Sequence, residues 1–319
     1  MHSPEYYSDL IENAISSIIY PSSPDGLYAP IKYTLEGGGK RIRPMLLLAT
    51  ADAFGYNPEK AINQAAGLEM FHNFTLLHDD VMDNAFVRRG RPTVHRRWNM
   101  CTAILSGDAM LTLATQLMTK CSPDILPEIL ELFNATAMEI YEGQQYDMDF
   151  ENSTGISVDE YMEMIRLKTS VLLACGCKMG AILADASVKS QEAMYRYGEL
   201  LGLAFQLQDD YLDTYGDPAL FGKEIGGDII NEKKTWLWIT AMTECPEQMT
   251  AVIDEKLTDY LKVKNIKEVY DSLNLGDRTH KLIERYAEMA VEALADAELS
   301  EEGLLFFKNL AGKLSSRSN

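Results

Sequence analysis

Leu76-Leu77-His78-Asp79-Asp80-Val81-Met82-Asp83-Asn84-Ala85-Phe86-Val87-Arg88-Arg89-Gly90 sets three aspartates at i, i+1 and i+4 in an apolar run and follows them with a basic pair. On an α-helix, residues four apart lie on one face, about one turn from each other. Asp79 and Asp83 therefore point the same way, and His72 and Leu76 continue their stripe toward the N-terminus. A stripe that reads as core ends in two carboxylates. Carboxylates drawn toward a core need a cation or hydrogen bonds, and hard oxygen ligands of this kind suit Mg²⁺. His78 fits that role less well, because Mg²⁺ prefers oxygen to imidazole.

A second copy lies downstream, in Phe205-Gln206-Leu207-Gln208-Asp209-Asp210-Tyr211-Leu212-Asp213. Its aspartates have the same spacing, and Gln206 leads the stripe by one turn. One such motif in an acidic chain is compatible with a solvated helix face, since Asp is a mediocre helix-interior residue. Two copies in apolar context, with basic or glycine-rich flanks, point instead to a built site. A third segment, Gly37-Gly38-Gly39-Lys40-Arg41-Ile42-Arg43-Pro44, precedes an apolar helix over Met45–Ala53. Its glycines let the backbone approach a ligand closely. Its three cations suit a diphosphate, with arginine giving bidentate contacts; Arg41 is also open to a purely structural reading. His72, taken alone, reads as a core histidine.

The chain of 319 residues is 46% hydrophobic and 24% charged, enough to bury a large core. A net charge of −19 argues against a nucleic-acid partner. It leaves room for anionic substrates wherever cations cluster locally. No signal-peptide pattern opens the sequence and no apolar run reaches membrane-spanning length, so no integral membrane segment is expected. The five cysteines include no CxxC pair and read as reduced thiols of a cytoplasmic protein. Breakers cluster at Tyr20–Pro30, Glu36–Gly39, Gly90–Pro92, Ser122–Pro127, Asn152–Gly155 and Gly216–Gly227. No run alternates with period two, and no linker divides the chain. The expected fold is all-α: one domain over 1–319, a helical bundle around a deep central cavity, with 1–28 weakly defined and 314–319 frayed.

GGGKRIRP, LLHDDVMDNAFVRRGRPTVH, GDAML, RLKTSVL and FQLQDDYLD…FGKEIGGDIINEKKTWL occur in the order found in trans-isoprenyl diphosphate synthases, or polyprenyl synthetases. The chain resembles that family from about Ala29 to about Trp236. The resemblance implies a helical bundle whose two aspartate motifs face each other across a cavity mouth and hold three Mg²⁺ ions, or Mn²⁺, on an allylic diphosphate. Asp79 and Asp83 would bind two ions and Asp209 the third. Asp80, Asp210 and Asp213 would orient ligands or metal-bound waters. Arg88, Lys168, Lys223 and Lys233 would hold the allylic diphosphate, with Thr169 and Gln206 donating hydrogen bonds. The choice of Lys233 over Lys234 rests on its spacing from Asp228. Isopentenyl diphosphate would sit on Gly39, Lys40, Arg43, His72 and Arg89.

The chemistry implied is ionisation of the allylic C–O bond, attack by isopentenyl diphosphate, and loss of a proton to the departed diphosphate. Its product would be an all-trans prenyl diphosphate. In this family the residues four and five before the first aspartate help set product length. Here they are Thr75 and Phe74, with Phe71 two turns above Asp79 as a second stop. One aromatic at the fifth position and no insertion in DDVMD resemble synthases of short chains, C15 to C20. The alternatives are a longer-chain synthase, a class I terpene cyclase, a non-catalytic synthase subunit, or a helical scaffold with acidic faces. The family also implies a homodimer.

Overall fold

Local sequence signals set most helix ends. The computed structural model describes residues 1–151, 153–216 and 225–315, with residues 314 and 315 as backbone only. Among these residues, strand is confined to a hairpin of two two-residue strands, Val87–Arg88 (β1) and Arg91–Pro92 (β2). Everything else regular is helical, so the all-α expectation holds. The hairpin was not read from the sequence because strands this short carry no periodicity.

Ten principal helices lead to the second aspartate motif: α1 Pro4–Ser16, α2 Asp25–Leu35, α3 Ile42–Ala53, α4 Ile62–Met82, α5 Val94–Arg97, α6 Met100–Met118, α7 Leu126–Glu151, α8 Val158–Ile165, α9 Val171–Leu183 and α10 Val188–Tyr215. Ser3 caps α1 through the Tyr6 amide, and Tyr7, Ile11 and Ile15 form its buried face. The N-terminal residues are thus better defined than their composition suggested. The break expected at Tyr20–Pro30 is shorter, because α2 begins at Asp25 and continues through Pro30. Pro30 removes one amide donor, and the carbonyl it leaves behind belongs to the exposed Gly26, where water can replace it. The apolar helix after the glycines starts at Ile42 rather than Met45. Ser157 and Glu160 form a reciprocal capping box that starts α8. Asp185, in left-handed backbone, ends α9. Of the segments expected as breaks or frayed ends, Asn152, 217–224 and 316–319 lie outside the described residues.

Further helices run over Gly227–Ile230, Trp236–Glu244, Pro246–Asp254, Asp259–Ser272, Leu275–Ala293 and Glu301–Ser315. The chain forms two compact units, one of Met1–Asn134 with Gly176–Gln191, the other of Ala135–Cys175 with Glu192–Asn319. Their boundaries fall inside α7, α9 and α10 rather than in loops. In the first unit α4 runs antiparallel to α6, with Gly67 against Ala114 and Met118 at one end and His78 against Gly107 at the other. In the second, Phe150, Tyr161, Ile165, Leu203, Leu207 and Ile283 form one core cluster. Leu237, Trp238, Ile266 and Tyr270 anchor another. No helix among the described residues is long and apolar enough to cross a membrane.

Glycine permits the closest approaches. At Gly180 on α9 an added Cβ would overlap the Leu47 carbonyl and lie 2.8 Å from Thr50 Cβ on α3. Gly180→Ala should therefore cost about 1–3 kcal/mol by overpacking, seen as a lower Tm in thermal unfolding. An unchanged Tm would mean the two helices are not in this contact.

Candidate active site

In the first unit the basic loop is held from behind. Arg41 is 4% exposed and opens α3 in left-handed backbone at φ 46°. Its Nε donates to Glu12 Oε1 (2.7 Å), its Nη1 to Glu69 Oε1 (2.6 Å) and its Nη2 to the Leu35 carbonyl (2.8 Å). These bonds tie α1, the end of α2 and α4 to one side chain, so Arg41 is structural. Gly38 and Gly39 also take positive φ, 71° and 141°. A Cβ at Gly39 would come within 3.0 Å of the Arg89 guanidinium, which donates to the Gly38 carbonyl. Exposed Lys40 follows.

Arg43 Nη1 lies 3.3 Å from His72 Nε2, and Arg43 Nε is buried without a hydrogen-bond partner. Burial pulls the Arg43 guanidinium down to about 10, with Glu69 opposing and Arg89 adding to the fall. Burial and then Arg43, Arg89, Arg88 and Arg41 hold His72 well below the usual imidazole range. A neutral His72 accepts from Arg43. Two buried carboxylates answer these arginines, Glu69 at 2% exposed against Arg41 and Asp80 at 5% exposed against Arg88. Gly39 thus lies against Arg89 and Arg43 against His72, with Arg89 near enough to lower the pKa of both Arg43 and His72.

The first aspartate motif ends α4. Asp83 is exposed and its amide donates to the Asp79 carbonyl (2.9 Å), which keeps the two a turn apart. The buried member is Asp80, 5% exposed, not either aspartate of the Asp79/Asp83 stripe. The hairpin explains this: it returns Arg88 so that Nε donates to Asp80 Oδ1 (2.6 Å) and Nη2 to Asp79 Oδ2 (3.2 Å). Burial pushes the Asp80 carboxyl up, against the pull of Arg88. His78 points to α6, with Nε2 3.1 Å from the Ile104 carbonyl. Phe71 and Phe74 are both buried, their ring centroids 5.5 Å apart, and the Thr75 hydroxyl donates to the His72 carbonyl (2.8 Å).

The second motif, in the other unit, repeats the pattern. Asp209 is exposed while Asp210 is 4% exposed. Asp210 accepts from the Tyr161 hydroxyl and from Gln206 Nε2 (2.9 Å), and Gln206 Oε1 accepts from the Thr169 hydroxyl (3.0 Å). Gln206 and Thr169 were expected to donate outward; here the Thr169 hydroxyl and one Gln206 N–H donate inward. Asp213 accepts from the Asp228 amide (2.9 Å). Burial, with Asp210 and Asp213 adding to it, pushes the Asp228 carboxyl up. Burial pulls the Lys233 ammonium down, but Asp228, Asp210, Asp147 and Asp209 outweigh it and hold it above the ordinary lysine range. Its Nζ is 4.0 Å from Asp228 Oδ1. Lys234 turns elsewhere, donating to the Glu232 carbonyl (2.8 Å) and lying over Trp238. Lys223 lies outside the described residues.

Lys168 and Thr169 sit on a π-helical turn, Arg166–Ser170, a feature frequent at functional sites. Lys168 pairs with Asp147 on α7. One turn earlier on α7, a Cβ at Gly143 would overlap the Lys168 amide nitrogen, and on α10 a Cβ at Gly202 would lie 2.5 Å from Ser170 Cα. Asp147, Tyr161, Glu69 and these glycines were missed in the sequence. Only the Gly143–Asp147 spacing on one helix could have signalled any of them.

The donor set fits a hard cation: the expected ligands are all carboxylates, and Asp83 and Asp209 face solvent. Among the described residues no three acid, imidazole or thiol groups are gathered closely enough to hold an ion by themselves. An ion here would complete its shell with water and diphosphate oxygens, as Mg²⁺ usually does.

Residues 24–273 match the polyprenyl synthetase family. The chain belongs to that family. This polyprenyl synthetase is a prenyltransferase. It is 39% identical over 236 residues to a geranylgeranyl diphosphate synthase of Methanosarcina mazei, covering 73% of each chain. It is 34% identical over 303 residues to a short chain isoprenyl diphosphate synthase of Methanothermobacter thermautotrophicus, covering 92% of each. The crystal structure of a geranylgeranyl pyrophosphate synthase matches it with a TM-score of 0.95 at 39% identity, over 100% of both chains.

The two adjacent lysines give a direct test. Lys233→Ala should lower kcat by about 10²–10³, the usual loss for one donor aimed at developing charge, while Lys234→Ala should stay within a few-fold. Steady-state kinetics of both variants check this, and the reverse order would exchange their roles.

Proposed function

We propose that this polyprenyl synthetase condenses isopentenyl diphosphate with an allylic diphosphate, head to tail, to give a short-chain all-trans prenyl diphosphate of C15 to C20. The observation that carries the reading is the arginine site around Arg43, His72 and Arg89, in which Arg43 faces His72 and Arg89 faces the glycine loop rather than an aspartate. A cyclase that only ionises an allylic diphosphate has no use for it. Retention of both aspartate motifs speaks against a non-catalytic subunit. The names of the relatives support the C20 end of the range.

Asp79, Asp83 and Asp209 would hold Mg²⁺, with three ions per site the family expectation and Mn²⁺ able to substitute. When bound, the metal supplies neutralisation of the charge that grows on the leaving diphosphate. Asp80 and Asp210 position their neighbours, each fixed by internal bonds to Arg88 or to Tyr161 and Gln206. Arg88, Lys168, Lys223 and Lys233 hold the allylic diphosphate and stabilise the same charge. Lys168 and Lys233, beside Asp147 and Asp228, enter the reaction as ammonium ions.

Gly39, Lys40, Arg43 and Arg89 hold isopentenyl diphosphate. His72, accepting at Nε2, carries its proton on Nδ1, from which it would donate a hydrogen bond to a diphosphate oxygen. The double bond of isopentenyl diphosphate attacks the allylic carbon, and the departed diphosphate takes the proton that the new bond releases. Apolar walls keep water from the cation. We further propose one functional domain over 1–319 and a homodimer, which a single-chain mass in light scattering would overturn.

Incubation of the enzyme with Mg²⁺, labelled isopentenyl diphosphate and an allylic primer tests the reading. Label should appear in a longer prenyl diphosphate, and Asp79→Ala should lower kcat by about 10²–10³ or more. Consumption of primer alone to a cyclic product would establish the cyclase instead. An Asp79→Ala enzyme within tenfold of the parent would contradict the site.

A further inference from the structure

Three aromatic rings line one face of α4: Phe71, Phe74 and His78. The Phe71 and Phe74 centroids are 5.5 Å apart, those of Phe74 and His78 4.8 Å, and Phe133 on α7 closes the far end, 5.2 Å from Phe71. Phe74 is 5% exposed and cannot move without one neighbour giving way. Phe71, fully buried and backed by Phe133, is fixed by packing. His78 is less enclosed, and two features of α6 fix it. Its Nε2 lies 3.1 Å from the Ile104 carbonyl, an acceptor, so the nitrogen carries the proton and donates. Asp108 Oδ1, 3.9 Å away, favours the same tautomer. The imidazole lies over Gly107, where any Cβ would overlap Nε2 and sit 2.5 Å from Cδ2. No other residue leaves that slot open.

We propose that His78, seated on Gly107 and bonded to Ile104, is the positioning residue that holds the Phe74 ring in place and so sets product length. The proposal rests on the reading of Phe74 as the floor of the product channel. Phe74 lies about 7.5 Å along the helix axis from Asp79, at 1.5 Å per residue. A ring at that level blocks the tail only if it is kept from swinging aside. His78, one turn further on and directly against it, does that. This role also accounts for the residue beside the first aspartate that binds neither metal nor substrate.

The test is the product profile, by mass spectrometry with one primer, of Phe74→Ala, His78→Ala, Gly107→Ala and the Phe74→Ala/His78→Ala double variant. Folding is checked by thermal unfolding. Phe74→Ala and His78→Ala should each lengthen the product by at least one isoprene unit. Gly107→Ala, which drives the imidazole out of its slot, should also change the profile. The double variant should match Phe74→Ala, because His78 acts through that ring. Loss of stability alone would leave product length unchanged. If Phe74→Ala lengthens the product and His78→Ala does not, the positioning role falls and the floor stands. If the double variant is longer than Phe74→Ala, His78 acts on the chain directly and the proposal is wrong. If a folded Phe74→Ala enzyme keeps the parent product, the floor lies elsewhere and this inference falls with it.

Discussion

Charged side chains set close together without enough partners are the constraint common to the two units. In the first unit Arg41 and Arg88 have carboxylate partners, while Arg43 and Arg89 have no ion pair to a carboxylate among the described residues and press on a neutral His72. In the second, Asp147, Asp209, Asp210 and Asp228 bear on Lys233. Neither arrangement is favourable by itself, since buried charge needs compensation. On the proposed reading each becomes favourable when the missing sign arrives: a diphosphate for the arginines, a hard cation with its diphosphate for the carboxylates. The arrangement is preorganised for charge that the protein does not contain, which is how electrostatic stabilisation of a leaving group is built.

Such groupings persist only if the scaffold cannot relax. Arg41 is bonded to three partners and opens α3 in left-handed backbone, so the glycine loop on one side and Arg43 on the other have little freedom. The π-turn that carries Lys168 and Thr169 is gripped by Gly143 and Gly202 at distances that no side chain would allow. The second aspartate of each motif is locked by an internal donor, and that fixes the direction of the first. The same logic extends to the apolar end, where Gly107 fixes His78 and His78 bears on Phe74.

The helical fold was legible because breakers act locally, while caps such as Ser3 and the Ser157–Glu160 box went unread. The i, i+4 relation of Asp79 and Asp83 was legible for the same reason. Burial of Asp80 was not, because it depends on a hairpin too short to have a period, which returns Arg88 eight residues on. The Tyr161–Asp210 bond spans 49 residues, beyond any spacing rule. Glu69 belongs to no motif in the sequence, and only the folded loop turns it into a counter-charge. Lys233 and Lys234 are equivalent by composition. They are separated by the turn in which the Lys233 amide donates to the Asp228 carbonyl (2.9 Å), which sends one toward the acids and the other toward Trp238.

If the carboxylates and arginines wait for opposite charge, a metal and a diphosphate should stabilise the enzyme more together than the sum of each alone. Thermal unfolding with Mg²⁺ alone, inorganic diphosphate alone, and both measures this, because a ligand that binds only the folded state raises Tm. The account predicts a rise with the pair well above the sum of the single rises, abolished for the pair in Asp79→Ala. A rise with Mg²⁺ alone as large as with the pair, or none under any condition, would contradict it.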